Sequence, residues 1–213
     1  KKMAIISNGI LGTFSGKVGS VIGSSWKGID YIRSVPKKVK RIATANMLNQ
    51  QAKFKLVVDF LNPLRKFLTE SNQGKNLRKM TLMNLMTRKL LKEAVKGDLP
   101  SISLDYSKIE LSQGEVNGLF DLRVDVKEKD VLFNWKAHPK DKTENPEDKV
   151  VLVVYNAMTQ KFQFIQIGRR VDQSHTYKLN ENVKGEKIVM WIFSMNTEKE
   201  IYSNSKFIGE FVA

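Results

Sequence analysis

The residues best placed to do chemistry stand near the start of the chain. There GILGTFSGKVGSVIGSSWKG (residues 9–28) sets six glycines beside Lys17 and Lys27. Glycine-rich turns next to lysine can cradle phosphate, because bare backbone approaches the anion closely and lysine supplies charge. The spacing excludes the nucleotide-hydrolysing form. A P-loop needs four residues between its first glycine and a Gly-Lys pair, then Ser or Thr for magnesium. Here three residues separate Gly12 from Gly16, and Val18 follows Lys17. The glycine spacing of dinucleotide-binding turns is also missing. What the stretch keeps is charge. Lys17, Lys27, Arg33, Lys37, Lys38, Lys40 and Arg41 fall within 25 residues, with Trp26 and Tyr31 among them. Lysine and arginine neutralise phosphates, and aromatic rings stack on unpaired bases or wedge into a groove. These nine residues are the candidate anion- or nucleic-acid-binding set. The plain alternative is that Trp26 and Tyr31 form the core of a hairpin and the charges are merely solvated.

Other chemistries find less support. His138 and His175 lie far apart in loop-like settings, without a second ligand at metal-binding spacing. Asp125, Glu128 and Asp130 cluster near an expected turn, where solvated carboxylates are common. No serine occupies a nucleophile elbow. Cysteine is absent, which excludes disulfides, a thiol nucleophile and Cys-based zinc sites. The sequence therefore reads as a non-enzyme with no catalytic, cofactor-binding or metal-ligating set.

The elements that must position the basic residues follow from pattern. The chain has 213 residues, 41% hydrophobic and 27% charged, in the range of ordinary globular proteins. No apolar run reaches the roughly 18 residues of a membrane span, and the start lacks the pattern of a secretory signal. Those features lead to the expectation of a cytoplasmic or virion-associated protein. Net charge is +14. Residues 1–98 hold 20 Lys/Arg against 5 Asp/Glu, whereas residues 99–213 hold 16 against 17. Such asymmetry points to an anionic partner or to a solubilising face. The charge step coincides with a change of pattern at Gly97-Asp98-Leu99-Pro100, giving an expected boundary between domains 1–98 and 99–213.

Within 16–34 the strand formers Val18, Val21, Ile22, Trp26, Ile29, Tyr31 and Ile32 flank Lys27-Gly28, which predicts a hairpin with a tight turn there. Its glycines mark bends or close backbone approach. Over 45–71, Leu48, Ala52, Leu56, Val57, Phe60, Leu61, Leu64, Phe67 and Leu68 recur at helical spacing, with Pro63 splitting the run. A second helix is predicted over 75–96, ended by Gly97. The methionines Met47, Met80, Met83 and Met86 read as core. After Ser101, strands are predicted at 102–106, 119–126, 131–135, 150–155, 162–167, 176–179, 188–195 and 206–211. Short strands at this density predict an antiparallel sandwich of immunoglobulin or fibronectin type III character. The fold class is therefore α+β: a glycine-rich β-hairpin plus helices, then that β-sandwich.

The string NGILGTFSGKVGSVIGSSWKGIDYIRS, followed by QQAKFKLVVDFLNPLRKFL, resembles an uncharacterised family of Bacteroidota proteins that carry a domain of unknown function. The resemblance continues through SLDYSKIELSQG (103–114) and VVLVVYNA (150–157). Where that family often has an Arg-Asn-Pro turn before the first helix, this chain has Arg41-Ile42-Ala43. The C-terminal part is similar to fibronectin type III domains, Trp135 resembling their buried core tryptophan. The resemblance implies a bacterial or phage origin and two domains, and no activity. Together these readings predict a structural or interaction protein, a subunit of a larger assembly such as a phage particle or surface complex, that associates with other subunits or with itself. The alternative is a nucleic-acid-binding protein using the basic N-terminal face.

Overall fold

Two segments, VVLVVY (150–155) and IVMWIF (188–193), carry six apolar residues in a row with no polar face to turn to water. A strand reads this way when both of its faces are covered. The computed structural model shows what covers them. It describes residues 5–6, 12–37, 42–71, 80–127, 130–136, 145–179, 185–196 and 198–212. The chain forms two compact units, Lys1–Thr44 and Ala45–Ala213.

The first unit is an antiparallel sheet in sequence order: β1 (Ile5–Ile6), β2 (Phe14–Val18), β3 (Val21–Trp26) and β4 (Ile29–Ser34). The second begins with α1 (Ala45–Leu61), a 3-10 turn at Asn62–Leu64, α2 (Arg65–Ser71) and α3 (Leu82–Glu93). Pro63, which lacks an amide hydrogen, sits in the 3-10 turn that breaks the long helix, as its position predicts. Thr81 Oγ1 accepts a hydrogen bond from Asn84 N at 3.2 Å and caps α3. Strands follow: β5 (Val95–Lys96), β6 (Ser103–Leu104), β7 (Phe120–Lys127), β8 (Asp130–Lys136), β9 (Lys149–Asn156), β10 (Lys161–Arg169), β11 (Ser174–Lys178), β12 (Lys187–Asn196), β13 (Ile201–Tyr202) and β14 (Lys206–Val212). Every paired strand named here is antiparallel, so the class is α+β with antiparallel sheets.

β9 and β12 lie side by side in a five-stranded sheet ordered β10-β9-β12-β13, with β14 also on β12. Their side chains alternate between two cores. Val153, Tyr155, Val189, Trp191 and Phe193 join Val57, Phe60, Leu61, Leu64, Leu68, Met86 and Leu90 of the helices. Val150, Leu152, Val154, Ile188, Met190 and Ile192 join Val131, Phe133 and Trp135 of β8, the centre of a three-stranded sheet ordered β11-β8-β7. Phe60 meets the rings of Tyr155 and Phe162 edge-on, at 5.2 and 5.3 Å between centroids. Trp191 Nε1 donates to Ile109 O at 3.0 Å, and Trp135 Nε1 to Arg170 O at 2.8 Å. Both indoles are thus buried without an unsatisfied donor.

Several expectations are corrected. The boundary expected at Gly97–Pro100 lies inside the second unit, because the helices share their core with β9 and β12. The turn itself is pinned to α1: Asn49 Oδ1 accepts from Leu99 N at 3.0 Å, and Lys53 pairs with Asp98 at 2.7 Å. Helix α3 stops at Glu93, ahead of Gly97, because Val95 and Lys96 leave it to pair with Leu104 and Ser103. The predicted start of that helix at 75–79 lies outside the described residues. Tyr106 belongs to a 3-10 turn (Tyr106–Lys108) and not to a strand, Asp105 Oδ1 capping it at Ser107 N. Met86 is buried as expected, whereas Met47 is exposed. Among the described residues no helix is long and apolar enough to cross a membrane.

Removing residues 1–98 strips the helical cover from Val153, Tyr155, Val189, Trp191 and Phe193. A fragment starting at Leu99 is therefore expected to lose cooperative thermal unfolding and to bind a hydrophobic dye, whereas a fragment of residues 45–213 keeps a single sharp transition by circular dichroism. A cooperative melt from the shorter fragment would contradict the shared core.

Candidate functional site

The basic residues near the start are placed by a meander with two tight turns. Lys27 and Gly28 connect β3 to β4 with φ of +49° and +76°, the left-handed pair that a two-residue turn between twisted strands requires. Gly23 answers a different need. A Cβ there would lie 2.0 Å from Phe14 O and 2.7 Å from the Phe14 ring, so only glycine lets β2 cross so close. Gly23 is accordingly buried.

The register decides which side chains share a face. Lys17 lies opposite Ile22, which lies opposite Arg33; Ser24 lies opposite Tyr31, and Trp26 opposite Ile29. Directly opposed residues of antiparallel strands point to the same side. One face therefore carries Ser15, Lys17, Ile22, Ser24, Trp26, Ile29, Tyr31 and Arg33. It has two cations, two large aromatics and no carboxylate. Asp30, the one acidic residue of 1–44 against nine Lys/Arg, lies on the other face with Val18, Val21, Gly23 and Ile32.

Four candidates, Lys17, Trp26, Tyr31 and Arg33, thus converge on one face. Lys27 sits at the hairpin tip, and Lys37 follows β4, exposed. Lys38, Lys40 and Arg41 lie outside the described residues. Trp26 is 53% exposed and Tyr31 44%. Neither ring is enclosed as the core of a hairpin: both stand open on one face of the four-stranded sheet. The sequence pointed to a two-stranded hairpin; β2 enlarges it and brings Lys17 level with Arg33 across β3.

The other candidate chemistry disperses. His175 is on β11 opposite Phe133, not in a loop, and His138 and Glu128 lie outside the described residues. Asp125 is on β7 and Asp130 opens β8. Among the described residues no three metal-ligating side chains gather.

Sequence reasoning missed a polar cleft in the second unit, lined in part by Glu115, Asn117, Asp148, Arg170, Asn196 and Lys199. Its floor is a buried ion pair, Arg170 Nη2 to Asp148 Oδ2 at 3.4 Å. The guanidinium also donates to Asn117 O at 2.7 Å and Gly118 O at 3.1 Å, and Asn196 Nδ2 donates to Asp148 Oδ1 at 2.9 Å. Through Arg170 and Asp148 these contacts tie the 117–118 segment to the start of β9 and to Asn196 at the end of β12. The cleft is a clasp between strands. Only the tertiary fold brings residues 117, 148, 170 and 196 together, so no local spacing announced it.

The family model of DUF6266, a family of unknown function, matches residues 13–209, and the chain belongs to that family. The match takes in β2–β4 as well as nearly all of the second unit. No curated protein matches the chain.

The exposure of Trp26 has a direct readout, since the other two tryptophans, Trp135 and Trp191, are 2% and 0% exposed. Iodide is expected to quench one red-shifted component of the fluorescence, and Trp26→Phe to abolish that component while leaving a blue-shifted spectrum. Full protection of all three indoles would place Trp26 in a core or an interface.

Proposed function

We propose, for this member of a family with no assigned activity, that the chain is a non-enzymatic structural or interaction protein that works as a subunit of a larger assembly, and that its N-terminal sheet is the interacting element. One observation carries the reading: β4 is exposed at every residue, and β3–β4 holds Trp26, Ile29, Tyr31 and Ile32 in the open, Ile32 at 65%. Clustered large apolar side chains on a monomer's surface mark contact sites. The second unit serves as the rigid body of the subunit. Its two facing antiparallel sheets, with Trp135 in the shared core, support a sandwich of immunoglobulin or fibronectin type III kind. A phage particle or a surface complex is the setting this reading favours.

A second reading rests on a different observation, the carboxylate-free face of Lys17, Trp26, Tyr31 and Arg33. Two cations beside two open aromatic rings are the parts of a single-strand platform, where bases stack and phosphates are neutralised.

For the first reading, sedimentation of the full chain is expected to show species larger than a monomer, or a protein partner retained through purification. A strict monomer at high concentration with no retained partner would overturn it. For the second, Lys17→Gln with Arg33→Gln is expected to lower the slope of log affinity against log salt by up to about 1.4 on single-stranded DNA, about 0.7 for each phosphate contact. Trp26→Ala should weaken single-strand binding by about 1–3 kcal/mol. No binding to DNA or RNA at about 50 mM salt would remove this reading.

A further inference from the structure

In the N-terminal sheet β4 is a terminal strand, and among the described residues it pairs with β3 alone. Val35 N donates to Ser20 O at 3.0 Å, one residue beyond the ladder. In an antiparallel pair, hydrogen-bonded and non-bonded positions alternate. Counting back along the register, Arg33, Tyr31 and Ile29 turn their amide and carbonyl groups toward β3. Those of Ser34, Ile32 and Asp30 turn outward. The outer edge is therefore a regular row of donors and acceptors, on a six-residue strand exposed throughout. Edges of this kind are completed by another strand unless charge, proline or a bulge blocks them.

Charge selects the partner and the register. A two-fold axis through an antiparallel pair sets one residue opposite itself. Centring on Asp30 or on Arg33 would oppose like charges, which is destabilising. Centring on Tyr31 sets Asp30 against Ile32 and Arg33 against Ile29, charge against apolar on both faces. Centring on Ile32 leaves no such mismatch. Ile32 meets Ile32, Asp30 meets Ser34, and Tyr31 meets Arg33 twice, a cation beside an aromatic ring on the face that already carries Trp26.

We propose that β4 pairs antiparallel with β4 of a second copy of this chain, Ile32 opposite Ile32, to join the two N-terminal sheets into one. The proposal rests on the reading of the chain as an assembling subunit and names its partner.

Ile32→Lys and Ile32→Glu test it in the full chain by sedimentation. Each variant, with its exposed side chain and unchanged inward hydrogen bonds, should keep the wild-type circular dichroism and a cooperative melt. Each should dimerise at least about tenfold more weakly, because like charges oppose across the axis. An equimolar mixture of the two should regain association, since the introduced lysine of one copy then faces the introduced glutamate of the other. Equal association of wild type and both variants would overturn the β4 pairing while leaving the assembly reading intact. Dissociation of both variants without rescue on mixing would overturn the register. A monomeric wild type overturns the pairing, and whether a different protein is retained decides the fate of the wider reading separately. A variant that misfolds is replaced by Ile32→Cys, which puts a single thiol into a cysteine-free chain. A nitroxide there should show strong spin–spin broadening, more than one at Asp30→Cys, and its absence would count against the pairing.

Discussion

β9 and β12 are apolar on both sides, and the rest of the second unit is built to keep water from them. Trp191, Val189 and Phe193 need a cover on one face, while Ile188, Met190 and Ile192 need another on the opposite face. Burying a large apolar side chain is worth about 1.5–3 kcal/mol, so a bare face of five or six of them would cost about as much as the whole stability of a typical domain. The helices supply one cover and the three-stranded sheet the other. The segment 109–114 closes a margin: Leu111 N donates to Ser205 Oγ at 2.7 Å, and Ser112 Oγ to Ser203 O at 2.8 Å. A Cβ at Gly114 would lie 2.0 Å from Tyr202 O, so this strap runs flush against β13.

The N-terminal sheet obeys the opposite rule. Among the described residues it is a single layer, and the only one of them buried is Gly23, against Phe14. Its large side chains consequently stay in the open, and Gly23 and Gly28 answer to the close approach of Phe14 and to the turn between β3 and β4. The same economy separates charges. With Asp30 on one face and Lys17 and Arg33 on the other, the two faces of the sheet carry opposite charge.

The charge of the chain follows these units differently from its pattern along the sequence. Residues 1–44 carry nine Lys/Arg against one acid, and on the described helices Lys55, Lys66 and Arg88 are exposed. Lysines on a helix that buries its other side are a solubilising surface first. The step in charge near residue 98 therefore marks a change from helix to strand within one unit, not a joint between domains.

By itself the sequence determined the local elements. β-branched and aromatic runs bounded by Gly, Asn and Lys-Gly turns located the main strands to within a residue or two, and Pro63 located the break in the long helix, because these are consequences of backbone sterics and side-chain period. It also disposed of the P-loop, a matter of spacing alone. Membership of elements in units was decided only by the tertiary structure. The continuous apolar runs at 150–155 and 188–193 say that two covers exist, but not that one of them is the helical segment more than fifty residues away. The face shared by Lys17, Trp26, Tyr31 and Arg33 likewise depends on register, since a shift of one residue between β3 and β4 would put Trp26 on the side of Asp30 and away from Tyr31 and Arg33. The Arg170–Asp148 clasp was invisible for the same reason: its members come together only when strands distant in the chain are hydrogen-bonded into one sheet.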